Sequence, residues 1–483
     1  MYYIGLDIGT TAVKALVCDG KGNIVSHGQK IYELKTGSGG SVTQKACDWW
    51  SCSVYAIREA CAGIDKSAVV AIGLSAQGAS MTALDADGND LIDAITWMDT
   101  TSAREACELD EIVGAEKIYR KCGWQNTSTG DAAKIRRIIK HMPQVSQKAA
   151  IYPSTMAYVN MYLTGRAVTD PTSAAIRILY NIEKQDWDGE ILDAVGIGRE
   201  KLPEVLPAGK YIGNLTCKAA EELGLSESVR VFNGAHDQYC AAVGSGTLNV
   251  GDVLLATGTA WVVLGISDRL LYTPSYLAPG ISPSGNFGAM AAEMSAGSVM
   301  RRLAEVFGEN YKNLDDYAKD RIESAKSLLF LPFCAGAGFP HRTPDADGSL
   351  FGIKLNHDKY DIARALMEGA AFETRLSLEE FSRYGLNTST VIMSGGAARS
   401  RLWSHIVHAI LGCRMFVSAE TEACALGAAM MAAVGMGEFD SLSQAAELFV
   451  KREELPTPTE YEKDFYNEKY LRYIEKINLL YGT

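Results

Sequence analysis

The chain has 483 residues, 47% hydrophobic and 22% charged, with a net charge of −12. That balance excludes a disordered or fibrous chain and supplies enough apolar side chains for two or more domains. An acidic surplus without an extended Lys/Arg block argues against nucleic acid or an anionic membrane as partner. The start, MYYIGLDIGTT, lacks a basic segment followed by an apolar core, and no run approaches membrane-spanning length, so a cytoplasmic protein is expected. Eleven Cys are scattered without a C-x-x-C pair, which points away from a zinc site or a disulfide framework and towards thiols used as small core residues.

In chain order, YYIGLDIGTTAVKALVCDGKGNIVSHGQKIY alternates β-type runs with turn signals and predicts an antiparallel meander. ACDWWSCSVYAIREACAGI has helical apolar spacing, and VVAIGLSAQG predicts a buried strand feeding a loop at Gln77. MTALDADGNDLIDAITWMD predicts a further strand pair turning at Asp-Ala-Asp-Gly and ending on Asp99. From Ala103 to about Leu225 the pattern is mostly helical, and VRVFNGAHDQYCAAVGSG then predicts strand, tight turn and helix start around Asp237. GDVLLATGTAWVVLGISDR repeats the opening plan after about 250 residues, a spacing that means duplicated domains, divided at 1–246 and 247–483. STVIMSGGAARSRLW predicts a strand and helix joined by a glycine turn, ETEACALGAAMMAAVGMG a tightly packed helix, and the tail from Glu454 a terminal helix on the surface.

Several residues in this order could carry chemistry. Gly9 permits the turn after Asp7, where the Thr10 and Thr11 hydroxyls and backbone N–H groups can face phosphate oxygens and Asp7 can hold a hydrated divalent metal, although such a turn also serves a plain hairpin. A second Gly/Thr turn at Thr257, Gly258 and Thr259 allows two halves to clamp one nucleotide's phosphates, and no P-loop is present to do so instead. Gly395, Gly396 and Ala397 lie where a ribose or flat ring can rest on backbone. Asp237 is a helix cap or a general base, two uses that are compatible. Gly234, Ala241 and Ala242 beside it are small enough to let substrate approach, and His236 and His341 have the bland reading of structural hydrogen-bonding groups.

Taken together, Asp7-Ile-Gly-Thr-Thr, Gln77, Trp97-Met98-Asp99, Gly234-x-x-Asp237, Thr257-Gly258-Thr259, FPHRTPDADGSLFGIKLNHDKYDIARALMEG and SGGAARSRLW…TEACALGAA, in that order, resemble the FGGY carbohydrate kinases, nearest to xylulokinase and gluconokinase members. The resemblance spans Tyr2 to about Phe439. It implies an α/β fold of two duplicated actin-like ATPase (ribonuclease H-like) domains with an interdomain cleft, a sugar or polyol on the N-terminal side, MgATP mainly on the C-terminal side, and a homodimer. Carried over, Asp237 is the catalytic base, Asp7 the metal-associated acid, Thr10, Thr11 and Thr257 to Thr259 the phosphate turns, and Gly395, Gly396 and Ala397 the adenosine motif. Gln77, Gly78, Ala79 and Asp99 fall at the sugar-contacting loops. Xylulokinases usually have Gln-Met-His where this chain has Gln77-Gly78-Ala79, and DAAKIRRIIKHMP keeps Lys134 but lacks the usual Trp of the first signature. The altered sugar loop motivates an alternative, a catalytically silent sugar- or nucleotide-binding regulator on the same scaffold.

Overall fold

The computed structural model describes residues 1–293 and 295–481. The chain divides into two compact units: the first is Met1–Leu248 with Ala278–Phe287 and Glu422–Val450, and the second is Asn249–Leu277, Gly288–Thr421 and the chain from Lys451 onward. Among the described residues no helix is long and apolar enough to cross a membrane.

The first unit opens with the expected meander of β1 (Tyr2–Ile8), β2 (Ala12–Asp19) and β3 (Ile24–Ile31), antiparallel neighbours in which Asp7 pairs with Lys14 across the ladder. Helix α1 (Ala46–Ala60) buries Trp49, Ala56, Ile57 and Ala60 at helical spacing and packs on β2 and β3. Then come β4 (Val69–Ala76), α2 (Asp131–His141), β5 (Tyr211–Asn214), β6 (Arg230–His236) and α3 (Asp237–Gly244). The sheet order is β5-β6-β4-β1-β2-β3, with β1, β4 and β6 parallel to one another. β4 is buried along nearly its whole length, because helices cover the sheet, and that is why VVAIGLSA reads as a continuous apolar run. The predicted pair around Asp-Ala-Asp-Gly is reduced to bridges, Met81 to Ile95 and Leu84 to Asp90, because the Asp85 carboxylate accepts from the Asp87 and Asn89 amides and closes the turn as a side-chain cap.

In the second unit, β7 (Asp252–Thr257), β8 (Trp261–Ser267), β9 (Phe287–Glu293), α4 (Ala296–Phe307), α5 (Lys359–Arg383), β10 (Thr390–Gly395), α6 (Arg401–Leu411) and β11 (Arg414–Ser418) precede α7 (Ala423–Gly435), which returns to the first unit, and β12 (Arg452–Glu454) and α8 (Glu460–Tyr481) follow. The strands stand in the order β9-β8-β7-β10-β11-β12. An antiparallel β7/β8 hairpin, parallel β7/β10 and β10/β11 pairs and an antiparallel β12 repeat the pairing plan of the first sheet, which is the duplication expected from the two Gly/Thr turns.

One local expectation is refined and another changes. Helix α8 packs on the surface as expected, but its inner face carries a charge: it buries Phe465, Tyr466, Lys469, Tyr470, Tyr473 and Ile477, and the Lys469 ammonium donates to Ala325 O (2.8 Å) and pairs with Glu368 on α5 (2.5 Å). Gly234 does not make room for substrate, since a Cβ there would stand 1.4 Å from Leu74 O on β4. The register shift in β6 between Phe232 and Ala235 accommodates this close approach of two strands.

Candidate active site

Three adjacent parallel strands of the first unit end together, and the carboxyl ends of parallel strands are where open α/β sheets generally place ligands. β1 ends past Asp7, β4 brings Ser75 into register with it, and β6 runs into Asp237 at the first turn of α3. Ser75 Oγ donates to Asp7 Oδ1 (2.7 Å). Burial and then the neighbouring charge of Asp237 push the Asp7 carboxyl up to about 7, against the lowering effect of Ser75 and Lys14. Among the described residues Asp237 Oδ1 is buried and without a hydrogen-bond partner, while a quarter of the side chain remains exposed. An unpartnered carboxylate oxygen is costly unless something else meets it, so this is where a ligand is expected. Lys14, which sequence reading passed over, forms an ion pair with Glu422 (2.7 Å), and the Glu422 and Asp7 charges hold its ammonium above its ordinary value despite burial. Its signal in the sequence was present: seven residues after Asp7 on a two-residue period returning from the turn, it had to fall opposite that acid.

The loop after β4 is positioned from two sides. The Gln77 amide donates to Gln44 Oε1 (3.1 Å), which also accepts from Trp49 Nε1 (3.1 Å), and Gln44 in turn donates to the Thr10 carbonyl. Trp97 Nε1 donates to Thr10 Oγ1 (2.8 Å), so Thr10 is tied to the loop that carries Trp97, while Thr11 is exposed. Gln77 Oε1 is buried and unpartnered. Ala79 adopts a left-handed φ of 45°, a strained choice for a residue with a Cβ, and the buried Lys134 ammonium donates to its carbonyl and fixes it. Asp99 is different: it is 1% exposed, and its oxygens accept from the Val42 amide (2.8 Å), the Thr101 amide (2.9 Å) and Thr101 Oγ1 (2.6 Å), so its carboxylate is engaged in holding the loop. Cys240 is core, with its thiol pushed well up by burial.

The second unit contains a cavity of 1090 Å³ lined by Gly258, Thr259, Gly396 and Ala397. Thr257 does not line it with a free hydroxyl: Oγ1 donates to Ser394 O (2.7 Å) and accepts from the Ala397 amide (3.1 Å), pinning the two turns together. Gly395, at φ 97°, lies opposite Thr257 in the β7/β10 ladder, and a Cβ there would come 2.8 Å from the Thr257 carbonyl, so only glycine fits. Arg301, Lys312, Lys319, Arg399 and Arg401 outnumber Asp315 and Asp316 around the cavity, a balance that favours a polyanion. Trp261 and Trp403, rings 5.1 Å apart, form an apolar wall, and Trp261 Nε1 is a buried donor without a partner. Neither Trp was assigned a role from sequence, although Trp261 stands two residues after the Thr257–Thr259 turn.

The chain matches the FGGY family of carbohydrate kinases, N-terminal domain, over residues 2–244, and the C-terminal domain of the same family over residues 256–436. It belongs to the FGGY carbohydrate kinases. As an FGGY kinase it is a phosphotransferase, for which ATP is the implied donor. Similar proteins include the xylulose kinase of Staphylococcus epidermidis, 27% identical over 97% of this chain and 95% of the relative, and the glycerol kinase of Saccharolobus islandicus, 29% identical over 95% and 93%. Among solved structures, the ligand-bound xylulose kinase from Lactobacillus acidophilus superposes with a TM-score of 0.93 at 24% identity, covering 100% of this chain and 99% of the other, and so shares the fold. A kinase from Brucella ovis described as a xyloylose kinase gives 0.92 at 25% identity, with 100% of both chains covered.

The FGGY residues present fit both implied groups. The cavity lies just above the ~300–1,000 Å³ range of small-molecule sites and combines glycine backbone with cations, as a nucleotide requires. Among the described residues no group of three or more His, Cys, Asp or Glu could hold a metal ion. Mg²⁺ does not need one, since it is commonly held by one or two carboxylates with waters and substrate phosphates. Asp7, kept partly protonated at neutral pH by burial and by Asp237, is the acid that a bound cation would relieve.

Proposed function

We propose that this kinase transfers the γ-phosphoryl group of ATP to a hydroxyl of a small sugar or polyol, with Asp237 as general base, Asp7 as the acid that holds Mg²⁺, and Gln77, Gly78 and Ala79 at the sugar. The observation that carries this reading is the buried, unpartnered Oδ1 of Asp237 beside a second carboxylate at the ends of parallel strands. A sugar hydroxyl is a poor nucleophile, and a carboxylate within hydrogen-bond reach orients it and accepts its proton as the bond to phosphorus forms. Gln77 Oε1, buried and free of a partner, is suited to accept from a second sugar hydroxyl and so to fix the ring. Thr259, Gly258, Gly395, Gly396 and Ala397, with the surrounding Arg and Lys side chains, are assigned to the nucleotide, and Thr10 and Thr11 to phosphate. Bound Mg²⁺ supplies neutralisation of phosphate charge. Most of the acceleration comes from positioning and charge stabilisation, with the base contributing about 10²- to 10⁴-fold.

Because the relatives include xylulose and glycerol kinases, a ketopentose and a polyol are the first acceptors to try. The test is a coupled ADP-release assay over pentuloses, hexuloses, aldonates and tetritols, on the wild type and on Asp237→Asn. Transfer in the variant should fall by about 10²- to 10⁴-fold while calorimetry finds its ATP affinity unchanged. Full activity in Asp237→Asn would sink the assignment of the base, and sugar binding without any phosphorylated product would favour the silent regulator.

A further inference from the structure

His236 precedes Asp237 and is 7% exposed. Its backbone is fixed by Thr172, whose Oγ1 accepts from the His236 amide (2.9 Å) and donates to the Asp170 carboxylate (2.5 Å). The ring therefore has a determined place. A Cβ on Gly78 would stand 2.6 Å from His236 Cδ2, 2.7 Å from Nε2 and 2.9 Å from Ile176 Cδ1, so the imidazole fills most of the space that a side chain at Gly78 would need. On its other side, Nε2 lies 3.3 Å from Asp237 Oδ1, the buried oxygen that no hydrogen-bond donor reaches among the described residues. His236 Nδ1 is buried without a partner. The Nε2–Oδ1 contact is not aligned as a hydrogen bond, so the imidazole limits by contact where the carboxylate can turn and leaves Oδ1 open to a ligand.

We propose that His236 is a positioning residue for the kinase reaction: the imidazole, seated on Gly78 with Nε2 3.3 Å from Oδ1 of Asp237, sets the orientation of the carboxylate that receives the acceptor hydroxyl and couples the base to the Gln77–Ala79 loop. This rests on Asp237 being the base. The loop and the base come from strands β4 and β6, and the imidazole is the side chain that touches both, so a shift of the sugar loop is transmitted to the carboxylate. A misplacement of about 1 Å at a reacting group costs on the order of 10²-fold in rate, which sets the scale of the effect.

The experiment uses the full chain and four variants, His236→Leu, His236→Gln, Gly78→Ala and Gly78→Ala/His236→Gly, each with kcat, sugar KM and ATP affinity by calorimetry. His236→Leu should lower kcat about 10- to 100-fold with ATP affinity unchanged. His236→Gln, which keeps a planar polar group at similar reach, should recover most of that loss. Gly78→Ala alone should lower kcat by pushing the ring, and should cost less in the His236→Gly background, where only Ile176 Cδ1 still meets the methyl. Equal kcat in wild type and His236→Leu overturns the inference, as does a Gln variant no better than Leu, or a Gly78→Ala penalty undiminished without the imidazole. If His236→Leu does not fold, the Gln variant and the Gly78 pair decide. An inactive Asp237→Asn together with a fully active His236→Leu leaves the functional reading standing and removes only the role of His236. A fully active Asp237→Asn removes both.

Discussion

At the residue scale, the useful distinction is between carboxylates that are spent and those that are left over. Asp99 and Asp237 both stand at turns next to strand ends, and from residue type and spacing each is an equally good cap or ligand. The structure separates them by hydrogen bonds: Asp99 satisfies two backbone amides and a hydroxyl, whereas Asp237 keeps a buried oxygen open. Lys134 makes the converse point. Its side chain is fully buried within 3.5 Å of Asp131, which Arg177 also pairs at 2.6 Å, and the Asp99 carboxylate acts on it as well. Burial lowers the Lys134 pKa, and its bond to the Ala79 carbonyl is what it gives the site. Lys134→Met leaves the Asp131–Arg177 pair intact and loses one buried hydrogen bond, a cost of about 1–3 kcal/mol because Asp131 keeps Arg177 and Asp99 keeps its amide donors. The expected outcome is a stability loss below about 3 kcal/mol in a urea titration together with a raised sugar KM, because Ala79 is released from its left-handed conformation. An unchanged KM would show that the loop holds itself.

The elements were legible where period and turn chemistry agree. β1 to β4, the β7/β8 hairpin, β10 with its glycine turn and α7 follow from alternation, continuous apolar runs and Gly/Thr turns that any local reading can find. α8 is a terminal helix on the surface, as its helical spacing indicates, but the identity of its inner face was not legible. The buried Lys469 is tolerated only because Glu368, 101 residues away, meets it, and a partner at that distance leaves no local mark. The fit of α3 against α7 is of the same kind. A Cβ on Gly427 would stand 2.0 Å from Cys240 O, and one on Gly244 would stand 2.0 Å from Ala423 O, so the two helices meet backbone to backbone. Gly427→Ala gains helix propensity of up to about 1 kcal/mol, but the added methyl must force α3 and α7 apart at a cost of about 1–3 kcal/mol. The net expectation is a lower denaturation midpoint and, since α3 begins at Asp237, reduced kcat. A variant as stable and active as wild type would mean that the helices slide freely.

For the whole molecule, two sheets repeat one pairing plan, yet the compact units are not contiguous in sequence. α7 lies near the end of the chain and belongs to the first unit, packed on β1, β4 and α3. A fragment ending at Leu248 holds every strand of the first sheet but lacks the helix that buries one side of it. Its far-UV circular dichroism should show secondary structure while urea produces no cooperative transition, since a sheet that leaves its apolar face to water lacks the burial needed to offset chain entropy. A sharp two-state transition in that fragment would show that α7 is dispensable for folding. The duplicated α/β plan, the two Gly/Thr turns, the glycine motif and the family to which they belong were determined by the sequence itself, because each motif lies within one turn or one period and only the order of the motifs along the chain is needed to join them. Which acid stays unpartnered, which lysine is buried, what fills the space beside Gly78 and which unit α7 completes were decided only by the tertiary structure, because each depends on atoms brought together from residues tens to hundreds of positions apart.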